Sequence, residues 1–298
     1  MSEPQPYRAG FVALAGRTNV GKSTLVNQIV GQKVAIVTPK PQTTRRRILG
    51  VRTDADAQLI LIDMPGLHEA HNALNRRMLE TARRCIAEAE IVVPVIEAAE
   101  SLDKADRRVL TEVSELNRPV VVAINKIDLV SRSRLLPLAE QVHEVLPRAE
   151  IVPISALTGE NIEELLRVIK PLLPESGPLM SVDEYTDQTE RMLAEEIVRE
   201  KLFLAMRQEI PYSTAVKIED FSDDPERKLT RISAVIIVER DSHKGMVIGA
   251  GGRMLKEIGT QARLELEQIL GRRVFLELHV KVEKRWTSDP RKLKELGL

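Results

Sequence analysis

Cysteine is almost absent: Cys85 is the only one. A disulfide framework and a cysteine-based zinc site are therefore excluded within one chain, and a reducing cytoplasm is the expected setting. Aromatic residues make up only 3% of the chain. No apolar run approaches the roughly 18 residues that a spanning helix needs. The opening Met1-Ser2-Glu3-Pro4-Gln5-Pro6 has no basic stretch followed by an apolar one, so no signal peptide is expected. His68 and His71 stand close together, but their spacing is not that of a helical zinc motif, and no metal is expected there. Neither charge is in excess, with 44 basic and 44 acidic residues. The composition is 43% hydrophobic and 30% charged, which describes a globular chain, and 298 residues suffice for two domains.

The zero net charge hides a division. Residues 177–224 carry five basic and twelve acidic side chains, net −7, whereas residues 225–298 carry sixteen basic and ten acidic, net +6. A polyanion partner for the later segment and an ordinary solvated surface fit this asymmetry equally well.

Against these absences stands one dense motif. Gly16-Arg17-Thr18-Asn19-Val20-Gly21-Lys22-Ser23 reads G-x-x-x-x-G-K-S. It follows an apolar strand-like run, Phe11–Ala15, and opens a helical run from Thr24, the context that makes the pattern a phosphate-binding loop. Its backbone N–H groups, including those of Gly16, Asn19, Val20, Gly21 and Thr24, curl around an anion, and the new helix directs its positive end there. Lys22 is expected to reach the β- and γ-phosphates and Ser23 to ligate Mg²⁺.

Base choice is written further on. Val120–Ile124 ends in Asn125-Lys126-Ile127-Asp128, and Ile151–Ile154 ends in Ser155-Ala156. Both lie where strands of an open α/β sheet present ligands. The Asp128 carboxylate can accept from the guanine N1–H and N2–H together, a donor pair adenine lacks. Asn125 is expected to fix the loop and meet the guanine edge, the Lys126 stem to cover the base, and the Ala156 N–H to face guanine O6. Between them, Gln58–Ile62 closes on Asp63-Met64-Pro65-Gly66. Asp63 is placed for the Mg²⁺ shell and the Gly66 N–H for the γ-phosphate. Thr43 and Thr44 both offer a hydroxyl for Mg²⁺; Thr44 is the preferred ligand. Together these parts imply a GTPase with two loops that sense the γ-phosphate. The residue after Gly66 is Leu67, which cannot orient water as a glutamine does, so slow intrinsic hydrolysis is expected.

After a breaker-rich stretch, Pro171–Pro178, the order reads helix, strand, strand, helix, helix, strand: Thr189–Met206, Tyr212–Glu219, Ile232–Glu239, a short piece ending Gly245–Ile248, a helix from Arg253, and Val274–Val282. Gly249-Ala250-Gly251-Gly252 is a G-x-x-G turn between two helices. Its missing side chains let a sugar–phosphate backbone approach, as KH modules do when clamping about four nucleotides of single-stranded RNA. The turn has no basic residue of its own, so Lys244, Arg253 and Lys256 beside it, with Ile248, complete the expected RNA contacts.

The motifs G-R-T-N-V-G-K-S, P-Q-T-T-R (Pro41–Arg45), D-M-P-G-L-H (Asp63–His68), N-K-I-D, I-S-A (Ile154–Ala156) and M-V-I-G-A-G-G (Met246–Gly252) together resemble the Era family of bacterial ribosome-assembly GTPases over nearly the whole chain. Thr18 stands where that family usually has Pro and Met64 where Thr is usual; neither position must supply a side-chain ligand. The resemblance implies an α/β P-loop GTPase domain over 1–177, with a mostly parallel sheet and helices on both faces. It implies a linker region over 178–190 and an α+β type II KH domain with a C-terminal tail over 191–298. It implies catalysis by Lys22, Thr44, Gly66 and Asn19, a Mg²⁺ held by Ser23, Thr44 and Asp63, and GTP and GDP as ligands. Asn19 resembles the asparagine that holds K⁺ in related GTPases; holding the loop's shape is its other reading.

Small-subunit rRNA at its three-prime end, and the small ribosomal subunit, are the implied partners of a chain read as a monomer. Peripheral association with the inner membrane face is implied as well, with Arg291–Leu296 as the segment that would meet acidic lipid or form a solvated terminal helix. GTP would order the loops at Thr43–Thr44 and Asp63–Leu67 and change how the domains dock. The other function classes left open are a membrane-associated signalling GTPase and an RNA-binding assembly factor with little turnover.

Overall fold

A computed structural model describes residues 6–67, 72–206 and 209–298. His68 and His71, named above, lie outside the described residues. The chain divides into two compact units. The first comprises 1–35, 44–70 and 75–187, and the second 36–43, 71–74 and 188–298.

The first unit holds a six-stranded sheet of order β2-β3-β1-β4-β5-β6. Its strands are β1 (Arg8–Ala15), β2 (Ile48–Thr53), β3 (Ala57–Asp63), β4 (Ile91–Glu97), β5 (Val121–Asn125) and β6 (Glu150–Pro153). All pairings are parallel except β2 with β3. The central strands β4 and β5 read as nearly unbroken apolar runs because both faces are covered. Val12 and Leu14 point into one core with α1 (Lys22–Val30) and α5 (Ile162–Ile169), while Ala13 and Ala15 point into the other with α2 (Ala73–Glu88) and α3 (Lys104–Ser114). A further cluster joins β4 and β5 to α4 (Leu135–Val145) through Ile96, Ile124, Leu138 and Val142. Each such fully buried Leu, Ile or Val contributes about 1.5–3 kcal/mol relative to exposure.

The stretch expected as a linker has its own contacts. The N–H groups of Leu179 and Met180 donate to Gln58 Oε1, the Val51 N–H donates to the Tyr185 carbonyl, and Thr186 Oγ1 donates to the Leu49 carbonyl. Residues as far as 187 therefore belong with the first unit.

The second unit has a three-stranded sheet, β7 (Thr214–Asp224), β8 (Leu229–Val238) and β9 (Arg273–Val282), with β7 antiparallel and β9 parallel to β8. Helices α6 (Glu190–Ala205), α7 (Asp241–Ile248) and α8 (Arg253–Leu270) complete the expected order, followed by α9 (Pro290–Glu295). Thr189 caps α6, its Oγ1 accepting from the Met192 N–H at 3.2 Å, an arrangement worth about 1 kcal/mol. β7 begins only at Thr214 because Pro211–Ser213 forms a 3-10 turn. Ile197, Leu202, Ile232, Ile236, Ile258 and Leu266 form its core. Trp286 is wholly buried, and its Nε1 donates to the Ser213 carbonyl, pinning the closing segment.

Candidate nucleotide and RNA sites

The nucleotide-site residues emerge at the carboxyl ends of four strands. Gly16 follows β1, Asp63 ends β3, Asn125 ends β5, and Ser155 lies just past β6. The strand order reverses at β1, which lies between β3 and β4, so these ends surround a topological crevice.

Gly21 caps α1 in the left-handed region at φ 99, leaving the first N–H groups of the helix for an anion. Lys22 is buried, and its Nζ donates to the carbonyls of Gly16 at 3.1 Å and Arg17 at 2.8 Å. Burial pushes its ammonium down to about 8, with Asp63 and Asp106 pulling it back up. The site is therefore a desolvated positive group ready for a polyanion. Asn19 is exposed with φ 65, while Val20 is buried in the core. Thr24 is half-buried in the first turn of α1.

Three oxygens converge beside Lys22. Ser23 Oγ donates to Asp63 Oδ2 at 2.6 Å, Thr44 Oγ1 donates to the same oxygen at 3.1 Å, and the two hydroxyls lie 3.0 Å apart. Asp63 is fully buried. Two hydroxyls and a carboxylate are hard donors of the kind Mg²⁺ takes when phosphates complete its shell, so the set fits the metal. Thr44 stands at this corner; Thr43 turns away, bonding Thr38 Oγ1 at 2.7 Å and the Lys40 carbonyl at 2.8 Å. Gly66 approaches the phosphate loop so closely that a Cβ there would lie 2.7 Å from the Thr18 nitrogen. The Leu67 N–H donates to the Gly16 carbonyl at 3.0 Å, and the Leu67 side chain is packed into the core. The position after Gly66 thus offers an attacking water no polar group.

Asn125 ties the loops together. Its Nδ2 donates to the Val20 carbonyl at 2.7 Å and its Oδ1 accepts from the Ala156 N–H at 2.8 Å. The Ala156 N–H, expected to face guanine O6, here donates to Asn125, which satisfies the buried amide oxygen inside the protein. Asp128 stays exposed, its Oδ1 accepting from Ser155 Oγ at 2.6 Å. Lys126 adopts a left-handed backbone, φ 68. Sequence reading missed an acidic group around Arg17. Arg17 Nε donates to both oxygens of Asp106, at 3.1 and 3.2 Å, and lies 3.5 Å from Asp103.

In the second unit, α7 ends at Ile248 and the turn reverses direction through Gly249 (φ 73), Gly251 (φ 60) and Gly252 (φ 77). Ala250, Gly251, Arg253 and Lys256 are exposed, and Lys244 and Gly252 are half-buried. β9 is an edge strand of its sheet and runs beside α7, so the turn and this edge border one surface. The edge had no signal in the sequence, because sheet order is set by long-range pairing.

Among the described residues no group of His, Cys, Asp and Glu is arranged to hold a metal by itself, and no helix is long and apolar enough to cross a membrane.

Comparison with known proteins gives the same two modules. Residues 11–126 match the family of 50S ribosome-binding GTPases and residues 209–287 the KH domain. GTPase Era of Syntrophus aciditrophicus is 47% identical over 98% of this chain and 95% of its own length. GTPase Era of Coxiella burnetii is 45% identical, covering 98% and 99%. Among solved structures, an Aquifex aeolicus Era variant bound to GDP and AlF4⁻ matches with a TM-score of 0.94 at 43% identity, over 97% of this chain and 99% of that one. Era in complex with MgGDPNP and nucleotides 1506–1542 of 16S ribosomal RNA matches with 0.95 at 43% identity, over 98% and 99%. With a phosphate loop, a hydroxyl–carboxylate corner and a guanine-type base loop in one unit and a glycine turn between helices in the other, the chain belongs to the Era family of GTPases.

Proposed function

We propose that this chain is a GTP-hydrolysing switch that binds the three-prime end of small-subunit rRNA through its KH unit and assists assembly of the small ribosomal subunit. The convergence of Ser23, Thr44 and Asp63 beside Lys22 carries the enzymatic part. The glycine turn at 249–252 and the solved Era complex with 16S rRNA support the RNA part.

In the proposed reaction Lys22 leaves the loop carbonyls and holds the β- and γ-phosphates, keeping its proton near neutral pH. Mg²⁺ held by Ser23, Thr44 and Asp63 would neutralise charge on the β- and γ-phosphates. The Gly66 N–H contacts the γ-phosphate, and Asp128 accepts from the guanine N1–H and N2–H. Leu67 supplies no group to orient water, so intrinsic turnover is slow. Asn19, exposed in the loop, is the residue offered for K⁺; turnover higher in potassium than in sodium buffer tests that role, and equal rates remove it.

The membrane-associated alternative gains no support from the closing helix. Leu293 and Leu296 are buried, and Lys292 is engaged by Glu283 and Glu295. The deciding measurement is binding of a short single-stranded RNA matching the small-subunit rRNA three-prime end, with GDP and with a non-hydrolysable GTP analogue. Tighter binding with the analogue is expected. Equal affinity in both states removes the switch, since coupling requires differential affinity, and no binding removes the rRNA assignment.

A further inference from the structure

The phosphate loop and the base loop are joined at two places. The inner joint is the buried, neutral Asn125 amide described above. The outer joint is ionic and centres on Glu97, the last residue of β4. One of its oxygens, Oε2, lies 3.0 Å from Lys126 Nζ and 3.4 Å from Arg17 Nη2. The three side chains are 28–31% exposed, so the joint is partly shielded from water. Arg17 is held from its other side by the Asp106 carboxylate, itself only 3% exposed. The backbone of Arg17 supplies a carbonyl to which Lys22 donates at 2.8 Å.

We propose that Glu97 is a positioning residue for guanine-nucleotide binding, fixing Lys126 of the base loop and Arg17 of the phosphate loop with one carboxylate. Lys126 has a flexible four-carbon stem, and covering a base requires that stem to be held in one course. An ammonium pinned at its end leaves the stem little freedom, so the ordering is completed before nucleotide arrives. The carboxylate also separates two cations that would otherwise repel across the entrance to the site. Removing it frees Lys126 and takes away the one carboxylate between the two cations, leaving Arg17 with Asp106 and Asp103 on its other side. The charged joint complements the Asn125 joint: the amide sets the distance between the loops, and the carboxylate sets the direction of their side chains. The inference rests on the reading of this site as a guanine-nucleotide site.

The test uses the full chain and a fluorescent GDP analogue, with dissociation followed by stopped flow. If the unaltered chain fails to bind that probe, the nucleotide reading itself falls, and nothing about Glu97 is then responsible. With binding established, Glu97→Gln is expected to release the analogue about tenfold faster, the size of a partly shielded charged contact. Glu97→Asp, too short to reach both cations, should fall between. Thermal unfolding of the nucleotide-free variants separates a folding defect from a binding one, and Glu97→Asp carries the test if Glu97→Gln does not fold. The decisive readout is a double-mutant cycle with Lys126→Met. If Glu97 acts through Lys126, Glu97→Gln adds little to a chain that already has Lys126→Met. Sodium chloride should also accelerate release from the unaltered chain more than from Glu97→Gln. Unchanged release in Glu97→Gln, or fully additive effects in the cycle, would overturn the proposal.

Discussion

Ser23 and Asp63 lie 40 residues apart in sequence, yet Ser23 Oγ donates to Asp63 Oδ2 at 2.6 Å at the heart of the nucleotide site. Ser23 lies in the first turn of α1 and Asp63 closes β3, so a helix start and a strand end meet at the crevice of the sheet. A hydroxyl bonded to a buried carboxylate is poised to exchange that bond for a shared cation. Asp63→Asn keeps the shape and removes the charge. It is expected to lower the GTP turnover rate at least about 100-fold and to abolish the Mg²⁺ dependence of GTP affinity. Phosphate release and nucleotide titrations with and without Mg²⁺ check this; turnover within a few-fold of the unaltered chain would remove Asp63 from the metal corner.

Asp128 tests base reading. Guanine presents two donors to its carboxylate, whereas xanthine has a carbonyl in place of the 2-amino group. Asp128→Asn offers one acceptor and one donor, which matches xanthine. The expected result is a loss of GTP affinity of about 100-fold or more with a gain for XTP. Competition between the two nucleotides measures it, and a parallel loss for both would show that Asp128 acts only by bonding Ser155.

The pH dependence expected of Asp106 has an unusual sign. Burial pushes its carboxyl up to about 6 from 3.8, with Arg17 opposing the shift and Asp103 and Glu97 adding to it. Between those values the folded chain keeps a proton that the unfolded chain releases. The contribution of this group to stability is therefore greatest below about pH 4 and declines as pH rises towards 6. Asp106→Asn should flatten that slope, raising the unfolding temperature by about 2–4 °C at pH 7 and leaving it unchanged at pH 4. A lower unfolding temperature at pH 7 would instead mean that the pair with Arg17 outweighs the burial cost.

The glycine turn separates folding from RNA binding. A Cβ at Gly249 would lie 2.7 Å from that of Met254, at a φ of 73, whereas one at Gly251 would meet nothing within 4 Å. Gly249→Ala should therefore destabilise the second unit by about 1–3 kcal/mol. Gly251→Asp, at φ 60, should fold, since Asp tolerates the left-handed region, and should lose RNA affinity about tenfold or more by repelling phosphate. Unfolding curves and RNA titrations distinguish the two; an unaltered RNA affinity in Gly251→Asp would place the RNA elsewhere.

What the sequence determined by itself was whatever chemistry is contiguous. The phosphate loop, the base loop and the glycine turn are each built from neighbouring residues, and each needs a residue type that few other patterns require. The element order of the second unit was equally legible, because its amphipathic periods are local. Tertiary structure decided the rest. Arg17 meets Asp106 and Glu97 across 89 and 80 residues, and no periodicity marks charges at such distances. The choice between Thr43 and Thr44 at the oxygen corner depended on which way one loop turns. The Ala156 N–H went to Asn125 because burial obliges the amide to find a partner. Residues 178–187 likewise join the first unit through Gln58 and Leu49, whose side-chain amide and backbone carbonyl accept bonds from that stretch. Hydrogen-bond satisfaction and ion pairing over long separations are three-dimensional conditions, and only the folded chain expresses them.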